Sequence, residues 1–504
     1  MKAYVNRSAE TLLRNKATRA TRRAIGIAIS AIYIVLTRIS ISARSSIIRR
    51  PALLNCFWQV AQLAHSSRLG GKFESVKLGW LSSALEDVGV PTRSPSDEKP
   101  LVVLVSGTLG PGGAERQVVN TAIGLQESGQ VRVLVLCQAL QTEIERFFID
   151  ELTSRNIEVR ELKCGKETPE SLPILKNPLR RSAIGLSWSS LKQIEAYAAF
   201  FKAMNPDIVH TWLDEINVKA GFGAVLAGVS RVVLGSRSVA PYNFLIYKRY
   251  MRVVYRALGK RPNVQMACNS FAGRQSYAKW LSIPEQDIAV VRNGFDSEFF
   301  KAPPEAAIRA WMASNQLNHF SPIVGTVTRF NEEKDPLLWI KSAAFLARHE
   351  PQLQFVMVGS GLLFDRMQKY VQKIGLNDRI KFTGLTKKTK VAIAAMDVFV
   401  LTSRLEGLPN SVIEAQAQGI PVVMTNAGGA PEAIMPNVTG FVASGRNPRN
   451  LADATWKALS RPDWRNEACV MAREFAKSTF SLEQMSERTL KLYRTSMSGQ
   501  VTAE

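Results

Sequence analysis

Residues 398–425 read VFVLTSRLEGLPNSVIEAQAQGIPVVMT, and this stretch decides the fold class. An apolar run comes first, a polar loop leads into a helical segment, and a second apolar run follows Gly419. Apolar strands on either side of a helix indicate a βαβ unit in a parallel sheet that is buried on both faces. We predict strands at 398–401 and 421–425, with a helix that starts near 409–411 and stops at Gly419.

The same alternation extends outward in both directions, from residue 101 to the end of the chain. The other predicted strands fall into two series, at 101–105, 131–137, 157–162, 207–211, 231–235, 264–269 and 288–292, and at 323–328, 355–358, 380–383 and 440–442. Each series is long enough for one doubly wound, Rossmann-like α/β domain, and the turn-forming residues 293–296 (NGFD) separate the two. The predicted fold is therefore α/β, with two such domains facing each other across a cleft, because ligands bind at the carboxyl ends of parallel strands.

The first hundred residues differ from the rest in charge. Residues 1–50 hold eleven Lys and Arg against one acid, Glu10, and so supply 11 − 1 = +10 of the net charge of +23. The uncharged run 24–37 is shorter than the roughly 20 residues that span a bilayer. We predict a basic N-terminal extension and linker over residues 1–98. The extension is either a helix on an anionic membrane surface, a disordered tail, or the product of a start codon placed too far upstream.

The basic composition and the cysteines narrow the class of protein. A net charge of +23 indicates a polyanionic partner, yet no zinc pattern, aromatic RNA-binding signature or heptad zipper supports nucleic acid. Five cysteines at wide spacing, without a Cys-x-x-Cys pair, indicate neither a zinc site nor a disulfide framework. Such cysteine usage is typical of a reducing cytoplasm.

The first strand of each series is followed by one motif whose residues could bind a ligand. Gly112, Gly113 and Glu115 lie where strand 101–105 leads into a helix, and free amides at a helix start favour an anion or a polar substrate. The alternative is a tight turn that needs glycine. Arg329 and Lys334 follow strand 323–328 and suit a diphosphate, since Arg offers planar paired contacts and Lys a compact charge. Their alternative is a pair of solvated surface cations.

The third motif is the polar loop of the opening stretch. Glu406 lies in the loop before the predicted helix, and Glu414 lies about one turn inside it. One carboxylate can therefore reach a sugar while the other accepts hydrogen bonds from ribose hydroxyls, and the helix start between them offers amides to a diphosphate. An ordinary polar loop with an exposed glutamate is the alternative.

Taken together, these motifs resemble those of the retaining glycosyltransferases of family 4, the group 1 class with the GT-B fold. The resemblance covers roughly residues 101–495 and is specific as a set. Its elements are Gly112-Gly113-Ala-Glu115, Pro206-Asp-Ile-Val-His210, Asn293-Gly-Phe-Asp296, Arg329 with Lys334, Gly359-Ser-Gly361, Glu406 with Glu414, and Ala427-Gly-Gly-Ala-Pro-Glu432.

The resemblance implies a donor site for a nucleotide diphosphate sugar in residues 294–480. Arg329 and Lys334 would hold the diphosphate, Glu406 would contact the sugar, and Glu414 would contact the ribose. Catalysis would rest on Glu406, Arg329 and Lys334. The family needs no metal, and we expect no cofactor. Further donor contacts are expected from Gly359, Gly361, Gly407, Leu408, Asn410 and Ser411.

The resemblance also implies an acceptor-side domain at residues 99–293, and a C-terminal helix and tail at 481–504 that return to it. Contacts to the acceptor or the sugar are expected from Gly112, Gly113, Glu115, His210 and Arg237. Many relatives carry a histidine where Arg237 or Ser238 stands here, which puts a histidine-centred contact in doubt. His210 is alternatively a hydrogen-bonded structural residue.

The acceptor is inferred from charge. Residues 247–261 (YKRYMRVVYRALGKR) form a basic, amphipathic segment that either rests on anionic lipid or is a solvated helix face. With the basic tail, this segment favours a saccharide or lipid-linked saccharide acceptor in polysaccharide biosynthesis, and a cytoplasmic, peripheral location at the inner face of the plasma membrane. The alternatives are a GT-B-fold sugar-nucleotide epimerase and a non-catalytic membrane-associated assembly protein.

Overall fold

The computed structural model describes residues 98–164, 186–244 and 247–494, together with individual residues between 74 and 88. The predictions for the basic tail 1–50 and for the apolar run 24–37 lie outside the described residues. The linker stretch 90–97 lies outside them as well.

The first domain is built on a seven-stranded sheet in which every pair of neighbouring strands is parallel. Its strands are β1 (Leu101–Ser106), β2 (Arg132–Cys137), β3 (Glu158–Glu161), β4 (Ile208–Trp212), β5 (Arg231–Ser236), β6 (Val264–Cys268) and β7 (Ile288–Val290). The strand order is β3-β2-β1-β4-β5-β6-β7. Its helices are α1 (Gly113–Glu127), α2 (Ile149–Thr153), α3 (Trp188–Met204), α4 (Asp214–Leu226), α5 (Tyr250–Leu258) and α6 (Phe271–Leu281).

The second domain repeats this plan with a six-stranded parallel sheet. Its strands are β8 (Ile323–Val327), β9 (Gln354–Val358), β10 (Ile380–Gly384), β11 (Val398–Leu401), β12 (Val422–Met424) and β13 (Gly440–Val442), in the order β10-β9-β8-β11-β12-β13. Its helices are α7 (Glu305–Ser314), α8 (Pro336–His349), α9 (Phe364–Lys373), α10 (Thr389–Ala394), α11 (Asn410–Ala417), α12 (Pro448–Leu459) and α13 (Pro462–Thr479). Short 3₁₀ turns lie at Ile144–Arg146, Pro241–Asn243, Glu285–Asp287, Ser297–Phe300 and Ala430–Ala433.

The predicted α/β class with two doubly wound domains is confirmed. Strands β1 and β11 are almost wholly buried, as expected for apolar runs with helices on both faces of the sheet. In each sheet the strand order reverses beside the first strand, between β1 and β4 and between β8 and β11. Ligands of open α/β sheets bind at such switch points.

The last helix, α14 (Leu482–Arg494), returns to the first domain. Its apolar side chains, among them Leu482 and Met485, join the core cluster that lies beneath α1. The crossing is fixed where Phe295 donates a backbone hydrogen bond to Phe480 and accepts one from Leu482. The guanidinium of Arg231 also donates to the carbonyl of Leu492 at 2.8 Å. These bonds therefore hold the segment that crosses back from the second domain to the first.

Part of the segment 1–98, predicted as an extension and linker, contacts the first domain. Leu78, Leu81 and Leu85 are buried in the core cluster of the first domain, so this part of the segment belongs to that domain. Glu74 forms ion pairs with Arg252 and Arg256.

The same contacts change the reading of the basic segment 247–261. Helix α5 buries its apolar face in the core, and two of its arginines face Glu74. Arg261 donates to the carbonyl of Val88. Lys248, Arg249 and Lys260 remain exposed. Within the part of the chain that the structure describes, we find no helix long and apolar enough to cross a membrane.

Candidate active site

The loop between β11 and α11 places Glu406 against a cation from the neighbouring strand end. Lys334, which follows β8, donates through Nζ to Oε1 of Glu406 at 2.6 Å, and Ser403 Oγ donates to the same oxygen at 2.6 Å. The Glu406 side chain is 8% exposed and that of Lys334 is 17% exposed. The structure therefore brings together two of the three predicted catalytic residues as a nearly buried ion pair.

A second set of contacts, which was not predicted from the sequence, holds this pair in place. Thr402 Oγ1 donates to the carbonyls of Lys334 and Asp335 at 3.1 and 3.0 Å. Arg446 donates to the carbonyls of Ser403 and Thr402 and to the carboxylate of Asp335, at 2.5, 2.9 and 2.6 Å. Because Asp335 also caps α8, the two loops are fastened together at the base of the site.

Arg329, the third predicted catalytic residue, stands apart from that pair. Its side chain is 66% exposed and lies 3.7 Å from a carboxylate oxygen of Glu333. Across the cleft, Arg329 is close enough to Glu115 of α1 for its charge to influence the pKa of that carboxyl group. Burial raises the pKa of Glu115, and the Arg329 charge acts in the opposite direction. Arg329 is thus a solvated cation at the mouth of the cleft, facing a carboxylate of the other domain.

Glu414 lies one turn inside α11 and is half-buried. Burial raises its pKa to about 7, and the charge of Arg116 in α1 partly opposes that shift. The α11 backbone begins at Asn410, so the first amides of the helix, including that of the half-buried Ser411, have no acceptor within it. A helix start next to a protonatable carboxylate suits a ligand with both phosphate and hydroxyl groups.

Asn410 joins the donor motif to the other domain. Its side-chain amide donates to the carbonyl of Gly113 at 3.0 Å, and its oxygen accepts from Asn293 at 2.6 Å. Asn293 also donates to the carbonyl of Leu408 at 3.0 Å. The Leu408 side chain is buried in the core of the second domain, so only its backbone is available to a ligand. The domain junction is therefore built from the same residues as the predicted donor site.

Close packing within the protein explains why glycine occupies three positions of the predicted site. Gly359 and Gly361 adopt φ values of +137° and +156°, and a Cβ on either would strike the backbone of Thr328 or Phe330. A Cβ on Gly407 would strike the carbonyl of Arg237 in the other domain. Close packing of the chain therefore accounts for these three glycines, and their contact with a nucleotide stays a prediction.

The predicted acceptor-side residues occupy different environments. His210 is buried, stacks on Trp212 with ring centroids 3.8 Å apart, and bonds through Nδ1 to the Tyr493 hydroxyl at 2.9 Å. Burial lowers its pKa well below the usual value. The structure thus packs His210 against Tyr493 of α14, and its contact with a sugar or an acceptor stays a prediction. Gly112 and Gly113 lie at the start of α1, and Arg237 lies at the domain junction.

Cations, backbone amides and two carboxylates thus lie around the same part of the cleft. Arg329, Lys334, Arg116 and the start of α11 can meet a dianionic group, while Glu406 and Glu414 can accept hydrogen bonds from hydroxyls. Within residues 98–494, as far as the structure describes them, no three His, Cys, Asp or Glu side chains are grouped to hold a metal ion.

Comparison with known proteins decides the family. Residues 111–299 match the model described as Glycosyltransferase Family 4, and residues 307–478 match Glycosyl transferases group 1. The chain is 30% identical over 413 residues to the Vi polysaccharide biosynthesis protein VipC/TviE of Salmonella typhi, across 78% of this chain and 72% of that protein. This chain belongs to the group 1 glycosyltransferases of family 4.

Other known proteins are similar to this glycosyltransferase in sequence or in fold. It is 27% identical over 265 residues to an Escherichia coli UDP-Gal:alpha-D-GlcNAc-diphosphoundecaprenol alpha-1,3-galactosyltransferase, over 50% of this chain and 67% of that enzyme. Anabaena HepE in complex with UDP and glucose superposes with a TM-score of 0.62 at 20% identity, over 78% of this chain and 98% of HepE. The glycosyltransferase WaaG superposes with a TM-score of 0.57 at 16% identity, over 78% and 99% of the two chains. The fold is GT-B, as the sequence predicts.

Proposed function

We propose that this glycosyltransferase moves a sugar, with retention and without a metal, from a nucleoside diphosphate sugar to a saccharide or a lipid-linked saccharide. One observation carries the proposal. The Lys334–Glu406 pair lies at the carboxyl ends of two neighbouring strands, beside the start of a helix that presents Glu414 one turn later. A cation, a helix start and two carboxylates in this order match the parts of a nucleotide-sugar ligand.

The donor would bind along the second domain. Its diphosphate would lie between Arg329, Lys334 and the first amides of α11, where charge and free N–H groups favour an anion. Its ribose hydroxyls would donate to Glu414, and its sugar hydroxyls would donate to Glu406. On donor binding, Lys334 would interact with both Glu406 and the phosphate. The ion pair would therefore hold both side chains in position before the donor arrives.

The chemistry we propose is substitution on one face of the sugar ring. The acceptor oxygen forms a bond to the anomeric carbon as the bond from that carbon to the diphosphate oxygen breaks. The electron pair stays on the diphosphate, and the same phosphate oxygen takes the acceptor proton. The protein then contributes positioning and stabilisation of growing phosphate charge, which is the task of Arg329, Lys334 and the α11 amides.

The proposed setting is polysaccharide or glycolipid biosynthesis. Support comes from the relatives, one named for Vi polysaccharide biosynthesis and one for a diphosphoundecaprenol-linked acceptor. Exposed Lys248, Arg249 and Lys260 give the first domain a cationic edge, which favours a peripheral position at the inner face of the plasma membrane. A cytoplasmic enzyme at that face would meet both nucleotide sugars and lipid-linked acceptors.

A donor and acceptor screen tests the proposal. The purified enzyme is incubated with UDP-, GDP-, ADP- and dTDP-sugars, each with methyl glycosides and with short-chain polyprenyl diphosphate sugars as acceptors, in the presence of EDTA. The expected result is acceptor-dependent release of one nucleoside diphosphate, and a product whose new linkage has the same anomeric configuration as the donor by NMR.

Each of the other possible outcomes contradicts one specific element of the proposed function. An inverted linkage refutes retention, and activity that disappears with EDTA and returns with a divalent cation refutes metal independence. Interconversion of the sugar on its nucleotide identifies an epimerase. Absence of binding by every nucleotide in the panel identifies a non-catalytic assembly protein.

A further inference from the structure

Arg237 occupies the junction of the two domains. It follows β5 in the first domain, and its carbonyl packs against Gly407, the residue after Glu406 in the donor loop. Its Nη1 donates to Oδ1 of Asn293 at 3.3 Å, and Asn293 in turn donates to the carbonyl of Leu408. Arg237 therefore contacts the loop that carries Glu406 directly through its carbonyl at Gly407, and its side chain contacts that loop through Asn293.

The guanidinium lacks a counter-ion among the described residues. No Asp or Glu oxygen of that part of the chain lies within 4 Å of it, whereas Lys334 has Glu406, Arg329 has Glu333 and Arg116 has Glu151. Its Nε is buried without a hydrogen-bond partner there. The Trp212 ring, 5.2 Å from Cζ, covers one face. Neutral Asn293 is thus the polar side chain that the structure places on this cation.

Arg237 is half-buried, and a half-buried cation without a carboxylate partner costs the folded state free energy. Burial lowers the pKa of Arg237 to about 10, which still leaves the side chain charged at neutral pH. Moving a charge out of water without a partner is among the more expensive arrangements in a protein, and an anion supplied by a ligand offsets that cost. Planar guanidinium N–H groups match the oxygens of a carboxylate or a phosphate.

The position selects which part of the substrate would carry that anion. The donor diphosphate has its own cations on the second domain, Arg329 and Lys334. Arg237 instead reaches the donor loop from the first domain. Its carbonyl packs against Gly407, and its guanidinium donates to Asn293, which in turn donates to Leu408 of that loop and to Asn410. An anion at Arg237 therefore belongs to the sugar or to the acceptor.

We propose that Arg237 binds an oxyanion carried by the transferred sugar or by the acceptor, so that the enzyme prefers an acidic substrate at this point. The inference rests on the proposed function and adds a substrate class to it. The anion has two chemical sources, a carboxylate on the donor sugar and a phosphate on a lipid-linked acceptor.

Two matched ligand series distinguish these sources. The first is UDP, UDP-glucose and UDP-glucuronate, and the second is N-acetylglucosamine on a short polyprenyl diphosphate against its methyl glycoside. Binding to the wild-type enzyme and to Arg237→Met and Arg237→Lys is measured by calorimetry, with melting temperatures to show that each variant folds. Arg237→Gln replaces the methionine variant if that one does not fold.

The expected result is a loss of at least ten-fold for the anionic member of one series in Arg237→Met, with the neutral member and UDP changed less than two-fold. Arg237→Lys should keep part of the discrimination. The series that responds identifies the source of the anion. Equal losses for charged and neutral ligands in both series, or no losses, overturn the proposal. Failure of the wild-type enzyme to bind UDP counts against the donor site alone, because the second series contains no nucleotide.

Discussion

The buried pair of Lys334 and Glu406 gives the sharpest test of how the site is built. We consider Lys334→Met, Glu406→Gln and the double variant. Lys334→Met leaves a carboxylate that is 8% exposed with Ser403 as its remaining described donor. Breaking a buried pair from one side costs about 3–5 kcal/mol, because the other charge stays in place unpaired. Such a loss fits within the roughly 5–15 kcal/mol stability of a folded domain, so the variant should fold but be less stable.

The double variant should recover part of that loss, since a neutral amide replaces the orphaned carboxylate. Residues in direct contact show coupling energies of about 0.5–3 kcal/mol. Lys301→Met is the matched control. Its partner is Glu298, and both side chains are exposed, at 65% and 72%, so the loss should stay below about 1 kcal/mol.

Urea unfolding followed by tryptophan fluorescence ranks the four variants. Midpoints are compared directly, because a chain of two domains need not unfold in one step. We expect Lys301→Met near the wild type, Lys334→Met lowest, and the double variant above Lys334→Met. Sugar transfer should fall about a hundred-fold or more in both Lys334 variants, as for other donors to developing charge. A double variant that loses the sum of the two single losses, or a Lys334→Met variant that matches the control, would rule out a stabilising ion pair at this position.

Three further predictions address other contacts of the site. Because the raised pKa of Glu414 makes the folded state hold a proton that the unfolded state releases above about pH 4.3, wild-type stability should decline from there towards pH 7. Glu414→Gln should therefore gain up to roughly 3 kcal/mol on the wild type between pH 5 and 8 in urea titrations, and a constant difference would contradict the assignment. Arg446→Met should lower kcat at least ten-fold with UDP affinity within two-fold, while exposed Arg449→Met leaves both unchanged; equal kinetics in the two variants would exclude a positioning role. Tyr493→Phe leaves the His210 ring buried without that bond and should cost about 1–3 kcal/mol by melting with transfer retained, whereas a large loss of transfer would give His210 a direct role.

The strand series of both domains was predictable because buried parallel strands leave a local trace. Runs of three to seven mostly apolar residues marked the strands, with the polar β3 (EVRE) as an exception, and differences are confined to a residue or two at the ends. The donor helix was predictable at both ends as well. Pro409 precedes its first residue, and Gly419, at φ +74°, follows its end.

The contacts that hold the site together left no such trace. Arg446 reaches Asp335 across 111 positions, and Tyr493 reaches His210 across 283, so the packing of whole elements creates both contacts. Asn293 appeared in the sequence as a turn residue, and only the folded chain shows it bonded to Leu408 and Asn410. Periodicity and spacing report a residue's own element, whereas these bonds depend on where another element comes to lie.

Residues 74–88 show that amino-acid composition, like periodicity, does not predict contacts with distant elements. The Pro- and charge-rich stretch after them predicts a linker, and the basic tail before them predicts an extension. Yet Leu78, Leu81 and Leu85 are buried, and Glu74 neutralises arginines of α5. Packing of these leucines depends on the surface that they cover, and that surface is formed by elements far along the chain.

The most direct test of the central claim is a calorimetric titration of UDP, and of the other nucleoside diphosphates in turn, into the wild-type enzyme and into Lys334→Met. We predict that one nucleoside diphosphate binds the wild type and that its affinity falls at least ten-fold in Lys334→Met, while Lys301→Met binds it normally. Equal affinity in the three proteins, or no binding to the wild type by any of these nucleotides, would contradict a donor site built on Lys334 and Glu406.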